Sequence, residues 1–252
     1  MPERAVFERE KAAREFYIED HAVLYGLLVK SVRETLGERG VKVGEAATIL
    51  YARERGLRMA MRCRADGRPL THRNYMVYGE WADARGWCDS RMATIAPEYS
   101  TEVLTCGWCK SWEKHGLLEY GAVYCGLIDE NLVKGFNPEN DLEVDGTLSR
   151  GKPECVFHWK GCRFDSLDDL KADADLRSSL AFRTVRDFLY HTAHVLSAFT
   201  RVCYLESGLV RGDEIIEKAL EDYKSKFGAE KTAVLVEESK QNFLLIEAMP
   251  TT

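Results

Sequence analysis

The sequence lacks any apolar run approaching the roughly 20 residues that a bilayer-spanning helix requires; its longer stretches, such as Ala22 to Val29, stop well short. It also lacks the apolar core of a secretory signal behind Met1-Pro2-Glu3-Arg4. No block of one charge stands out: 41 acidic residues face 35 basic ones, a formal net charge of -6. A nucleic-acid footprint is therefore not expected. These absences together lead us to expect a cytoplasmic protein with neither nucleic acid nor membrane as a partner.

What is present points to chemistry on small molecules. The 252 residues, 45% hydrophobic and 30% charged, suffice for one sizeable core, and eight of them are cysteines. In a reducing compartment such cysteines are buried apolar groups, metal ligands or reactive thiols rather than disulfides.

Periodicity predicts a helix from Arg4 to Leu36, its apolar face carrying Phe16, Leu24, Leu27, Leu28 and Val32. Gly37 and Gly40 punctuate it, and a second helix runs from Glu45 to Arg55 with Gly56 interrupting or capping it. After a turn at Ala65 to Leu70, Thr71 caps a helix reaching Trp87. Met92 to Ile95 and Tyr99 to Thr105 read as extended segments broken by Pro97. Two helices are expected next, Cys109 to Lys114 and Leu118 to Val133, ending at Gly116 and Gly135. Asp141 to Leu148 and Cys155 to Trp159 alternate as the arms of an antiparallel hairpin, which puts Cys155, Phe157 and Trp159 on one face and Val156 and His158 on the other. Ser166 caps a helix from Leu167; a long amphipathic helix spans Phe182 to Cys203, and another opens at Gly212-Asp213 and stops at Gly228.

The expected fold class is α+β, mainly helical, with helix pairs at both ends packed around a small antiparallel sheet or hairpin. We read it as a single domain over residues 1–252: N-terminal helices (1–87), a cysteine-rich centre (88–165) and C-terminal helices (166–252). The two ends look alike: REFYIEDHAVLYGLLV resembles RDFLYHTAHVLSAFTR, with His21 opposite His194 after a one-residue shift, and in the following helices Tyr51 and Gly56 fall opposite Tyr223 and Gly228. That is a degenerate helix-hairpin repeat, or two amphipathic pairs with similar glycine punctuation.

Cys125 and Asp129, four apart on an expected helix, share a face. A carboxylate beside a thiol opposes thiolate formation. The pair makes better sense with the acid polarising a water while the sulfur binds a metal or walls a pocket. Cys106-Gly-Trp-Cys109 is half a zinc site without a second CxxC, so Cys125 and Cys155 would have to complete it; otherwise these are small buried hydrophobes. Asp187, His191 and His194 recur at i, i+4 and i+7, suited to an imidazole pair with an orienting carboxylate or to an ordinary polar face. His21 and His158 carry the same two readings. Trp108, Trp112, Tyr120, Tyr124, Phe136, Phe157 and Trp159 gather around the cysteines, as core or as the dry wall of a pocket for a small flat ligand.

The run from Leu104 to Trp159 contains Cys106, then Tyr124-Cys125 with Asp129, then Gly135-Phe136-Asn137-Pro138, then Leu148, Cys155 and Phe157. In that order these elements resemble the L-2-amino-thiazoline-4-carboxylic acid hydrolase family, and the resemblance covers Phe16 to Lys160. The cysteine pattern is similar, more distantly, to four-vinyl reductase domains, which implies helices around a small sheet and a rival function as a non-catalytic ligand-binding sensor. The resemblance implies a hydrolase opening a cyclic amidine- or amide-like C–N bond of a small-molecule substrate. Asp129 or His191 would supply the base, with His194 beside it and Cys125 as the alternative nucleophile; Tyr124, Asn137 and His158 would bind substrate. Cys106, Cys125 and Cys155 would hold a divalent metal such as zinc. Cys63, Cys88, Cys109, Cys162 and Cys203 fall outside the pattern and are read as structural. A homo-oligomer is also expected.

Overall fold

Apolar residues on nearly every side of one segment decide where the centre of the molecule lies. In a computed structural model, which describes residues 9–245, Ile18–Leu36 forms helix α1, and everything from Ala22 to Val29 is buried. A helix greasy all round belongs inside. Its first turn is closed by Asp20, whose carboxylate accepts the Tyr17 N–H at 2.9 Å. Residues 4–8 of the expected first helix lie outside the described residues.

Gly37, at φ 59°, turns the chain into α2, Glu38–Ala65. This helix is far longer than the expected Glu45 to Arg55, because Gly56 does not end it. Gly56 is instead where another helix crosses: a Cβ built there would stand 2.2 Å from the Leu132 carbonyl oxygen. Beyond it, Leu57 to Ala65 is rich in Leu, Arg, Met and Ala, which sustain a helix.

Thr71 caps α3 as expected, accepting the Asn74 N–H at 3.3 Å, but α3 spans only His72–Val77. Arg177 inserts beside Gly79 and donates to the carbonyls of Met76 and Trp81. The Asp83 carboxylate then takes the Cys88 N–H at 2.6 Å, an alternative to helical bonding that keeps 79–88 as loop.

The sheet has four antiparallel strands in the order β1-β2-β4-β3: β1 Asp89–Thr94, β2 Tyr99–Thr105, β3 Asp141–Asp145 and β4 Cys155–Lys160. The hairpin read from the alternation is β3 and β4, with Val144 opposite Phe157. Between β2 and β3 run α4 (Gly107–His115), α5 (Leu118–Cys125) and α6 (Ile128–Phe136). The expected single helix from Leu118 to Val133 is therefore two, broken at Gly126-Leu127, so Cys125 ends one helix and Asp129 begins the next.

Helix α7, Leu167–Thr184, is capped by Ser166, and α8, Phe188–Phe227, by Asp187. The two expected C-terminal helices are the halves of α8, which breaks at Gly208 (φ 76°). Helix α9, Ala229–Glu238, follows Gly228. The main core joins α1, α2 and the first half of α8; a smaller one under the sheet contains Tyr99, Val133, Leu142, Trp159 and Phe164. The chain is thus mainly helical with a small antiparallel sheet, the α+β class expected. No helix among the described residues is long and apolar enough to cross a membrane.

Candidate active site

A cavity of about 180 Å³ lies between the sheet and the helices. Strand alternation turns Val103, Val144, Cys155 and Phe157 to it, and the break between α5 and α6 turns Tyr124, Cys125 and Asp129 to it from the other side. Arg55 from α2 closes the back; Cys88, Cys106 and Trp108 complete the rim. Cys125, Asp129, Val144 and Thr147 are shared with a wider, more polar recess of about 560 Å³ that also meets Arg150, Lys152 and Lys160.

Asp129 is a charged group that this cavity leaves unsatisfied. Among the described residues its carboxylate accepts no hydrogen bond, and burial pushes its pKa up to about 6, with only the Arg55 charge opposing. Arg55 is itself a surplus cation. Glu80, fully buried, receives Arg58 at 3.0 and 2.8 Å and Arg62 at 2.6 Å. Burial alone would raise the Glu80 pKa, but the arginines around it hold it far below the usual carboxylate range. Arg55 stands 3.5 Å from that same carboxylate, and its Nε has no hydrogen-bond partner among the described residues.

The aromatic wall is held from behind. Trp108 donates its indole N–H to His21 Nδ1 at 2.9 Å, which fixes the proton on Nε2, 2.9 Å from the Tyr51 hydroxyl. Trp108 and Tyr124 lie nearly parallel, 15° apart in plane.

The cysteines differ sharply. Burial pushes the Cys125 thiol up to about 12, with Ser149 as its polar contact and Asp129 adding to the rise. Cys155 accepts the Leu148 N–H at 3.3 Å. Cys88 is drawn down to about 7, first by the neighbouring thiol of Cys106 and then, against the opposing effect of burial, by the Gly107 N–H, 3.4 Å away at the start of α4. Cys106, its neighbour, moves the other way.

Cys106, Cys125 and Cys155 do line one cavity. Among the described residues, however, no three His, Cys, Asp or Glu side chains come together as a group able to hold a metal ion. The three cysteines expected as ligands thus share a cavity without forming such a group.

Other expected residues sit elsewhere. His191 and His194 are buried in α8 and do not reach the cavity wall. His191 Nε2 donates to the Glu80 carbonyl at 3.0 Å, and burial holds its pKa well below that of free histidine. His194 lies 2.8 Å from Glu54, which Arg201 also clamps, and burial lowers it to about 3. Asp187, expected to orient them, caps α8 and pairs with Arg9 at 2.8 Å. Asn137 donates to the Leu70 carbonyl at 2.8 Å and shapes the loop after α6. His158 points from the other face of β4 toward Glu98, 4.0 Å away. Only Tyr124, Cys125 and Asp129 of the expected catalytic and substrate-binding set meet at the cavity.

Sequence reasoning missed Arg55 and Cys88. Nothing local marks Arg55 within an arginine-rich helix. For Cys88 the signal was indirect: Cys106-Gly107 opening a helix offers free amide N–H groups to whatever sulfur approaches.

A family model described as L-2-amino-thiazoline-4-carboxylic acid hydrolase matches residues 16–159. No curated protein and no solved structure matches the chain. The match takes in more than half of the 252 residues and every residue that lines the cavity; α8 and α9 fall outside it. With the acid, the cation, the sulfurs and the aromatic wall all inside those bounds, the chain belongs to the L-2-amino-thiazoline-4-carboxylic acid hydrolase family.

Proposed function

We propose that this cavity opens the ring of a small cyclic amidine of the 2-amino-thiazoline-4-carboxylate type by hydrolysis. The observation that carries the reading is Asp129: a cavity-facing carboxylate, poised near pH 6, with no hydrogen bond of its own among the described residues.

Such a substrate carries a cationic amidine at one end and a carboxylate at the other. Asp129 and Arg55 present the complementary charges on the walls of one small cavity. The phenol and indole faces of Tyr124 and Trp108 suit a flat ring. Reaction requires water to add to the carbon between nitrogen and sulfur, the ring C–N bond to break and the departing nitrogen to gain a proton. Asp129 takes the proton of that water as general base, and the cation of Arg55 keeps the acid ionised near neutral pH. The Cys125 thiol stays protonated beside it and walls the site. His191 and His194 act from behind, holding Glu80 and α2 in place rather than touching substrate.

Incubating the protein with L-2-amino-thiazoline-4-carboxylate and following ring-opened product by mass spectrometry tests this. Turnover lost in Asp129→Asn, in a protein that still melts cooperatively, is the expected result. Tight binding without product in the wild type would point instead to a ligand-binding sensor.

A further inference from the structure

The proposed hydrolysis leaves one reactive group of the cavity unused. Cys88 lies where the loop after α3 enters β1, and its backbone N–H is pinned by Asp83 at 2.6 Å. That anchor aims the side chain at the first turn of α4, where the Gly107 N–H meets Sγ at 3.4 Å. Cys106 precedes that glycine in the chain, and both cysteines line the cavity that holds Asp129. The Gly107 amide N–H, at the positive end of a nine-residue helix, holds this sulfur as an acceptor, with Cys106 beside it in the same cavity. Cys125 stands beside the Asp129 carboxylate, which adds to the rise of its thiol, whereas at Cys88 the opposing charge of Asp83 is outweighed.

We infer that Cys88 is the nucleophile of the ring opening and that Cys106 is its proton partner, so that hydrolysis passes through a covalent enzyme adduct. This rests on the hydrolase reading and adds a step to it. Cys88 Sγ bonds to the amidine carbon, and the ring C–N bond breaks. Its electron pair leaves on the ring nitrogen, which takes the Cys106 thiol proton. Asp129 then removes one proton from a water whose oxygen attacks the same carbon. The bond from carbon to Cys88 breaks, the sulfur departs as thiolate, the second water proton returns to Cys106, and the proton on Asp129 passes to the newly freed amine. One water is consumed and no oxidant or reductant is needed.

Splitting the reaction this way gives each charge change a local counterpart: the helix amide faces the sulfur, and the Arg55 charge acts on the acid that activates water. It also makes the two halves separable, because Asp129 moves a proton only in the second.

The test is intact-protein mass spectrometry of Asp129→Asn mixed with L-2-amino-thiazoline-4-carboxylate, followed by peptide mapping. We expect a gain of one substrate mass on the peptide bearing Cys88, and at least a 1000-fold loss of turnover in Cys88→Ser. As a control that needs no substitution, iodoacetamide should label Cys88 of the wild-type protein first, in step with loss of turnover. Wild-type turnover in Cys88→Ser, or an adduct on Cys125 instead, overturns the covalent route while leaving Asp129-assisted hydrolysis intact. If the wild type opens no such ring at all, the hydrolase reading falls and the covalent route with it.

Discussion

Gly56 rests against the Leu132 carbonyl so closely that α2 and α6 touch backbone to backbone: a Cβ on Gly56 would stand 2.2 Å from that oxygen, and one on Gly135 would stand 2.5 Å from the Arg53 oxygen. This crossing sets the distance between Arg55, next to one glycine, and Asp129, one turn before the other partner. Gly56→Ala should therefore cost about 1–3 kcal/mol by overpacking and lower turnover as well, because α6 must move away from α2. Urea unfolding read beside activity checks this; a variant with wild-type values for both would contradict it.

Asp129→Asn should make the protein more stable as it silences it. The folded pKa is raised above the ordinary value of 3.8 to about 6. Between those two values the native state holds more protons than the unfolded chain, so stability falls as pH rises through that window and the deficit is complete above it. At pH 7.5 the substitution should recover up to about 3 kcal/mol, seen as a higher Tm, and the gain should vanish below pH 4. For the wild type, kcat/KM should rise with pH through about 6 as the base ionises.

Cys125→Ser should keep turnover within about tenfold of wild type, since a thiol held protonated at neutral pH acts as a wall and Ser has nearly its shape. A loss as large as that of Asp129→Asn would give Cys125 a direct part in the chemistry.

Glu80→Gln should be among the most damaging changes away from the cavity wall. It strands Arg58 and Arg62, both buried, at a cost of about 3–5 kcal/mol, and the expected signature is a large drop in the urea midpoint. The pH effect has the opposite sign to that of Asp129: the Glu80 pKa is depressed, so its contribution is present above the ordinary carboxylate pKa and is lost only as pH falls through its low folded value.

Much of this architecture was legible in the residues. Alternation marked β3 because Leu142 and Val144 turn inward between exposed Asp141, Glu143 and Asp145, and β4 because Phe157 and Trp159 pack on the same core. Ser166 and Thr71 marked helix starts because their hydroxyls satisfy exposed N–H groups. Glycine was the misleading signal. Gly56 reads as a stop yet permits a helix crossing, and Gly126, less prominent, accompanies the true break between Cys125 and Asp129. Both depend on what packs alongside, which spacing along one chain does not carry. The same holds for the site. Asp129 and Cys125 were legible, though not as neighbours on one helix. The histidines of α8 were misplaced because i, i+4, i+7 spacing says which residues share a side but not whether that side meets a cavity or Glu80 and Glu54.

Trp108 spends its only donor on His21, so the indole offers whatever enters no polar handle, only a π surface. Its selectivity is then one of thickness. Planar five-membered rings should slide past it, whereas saturated, puckered analogues with the same charges at the same ends should be turned away by shape alone.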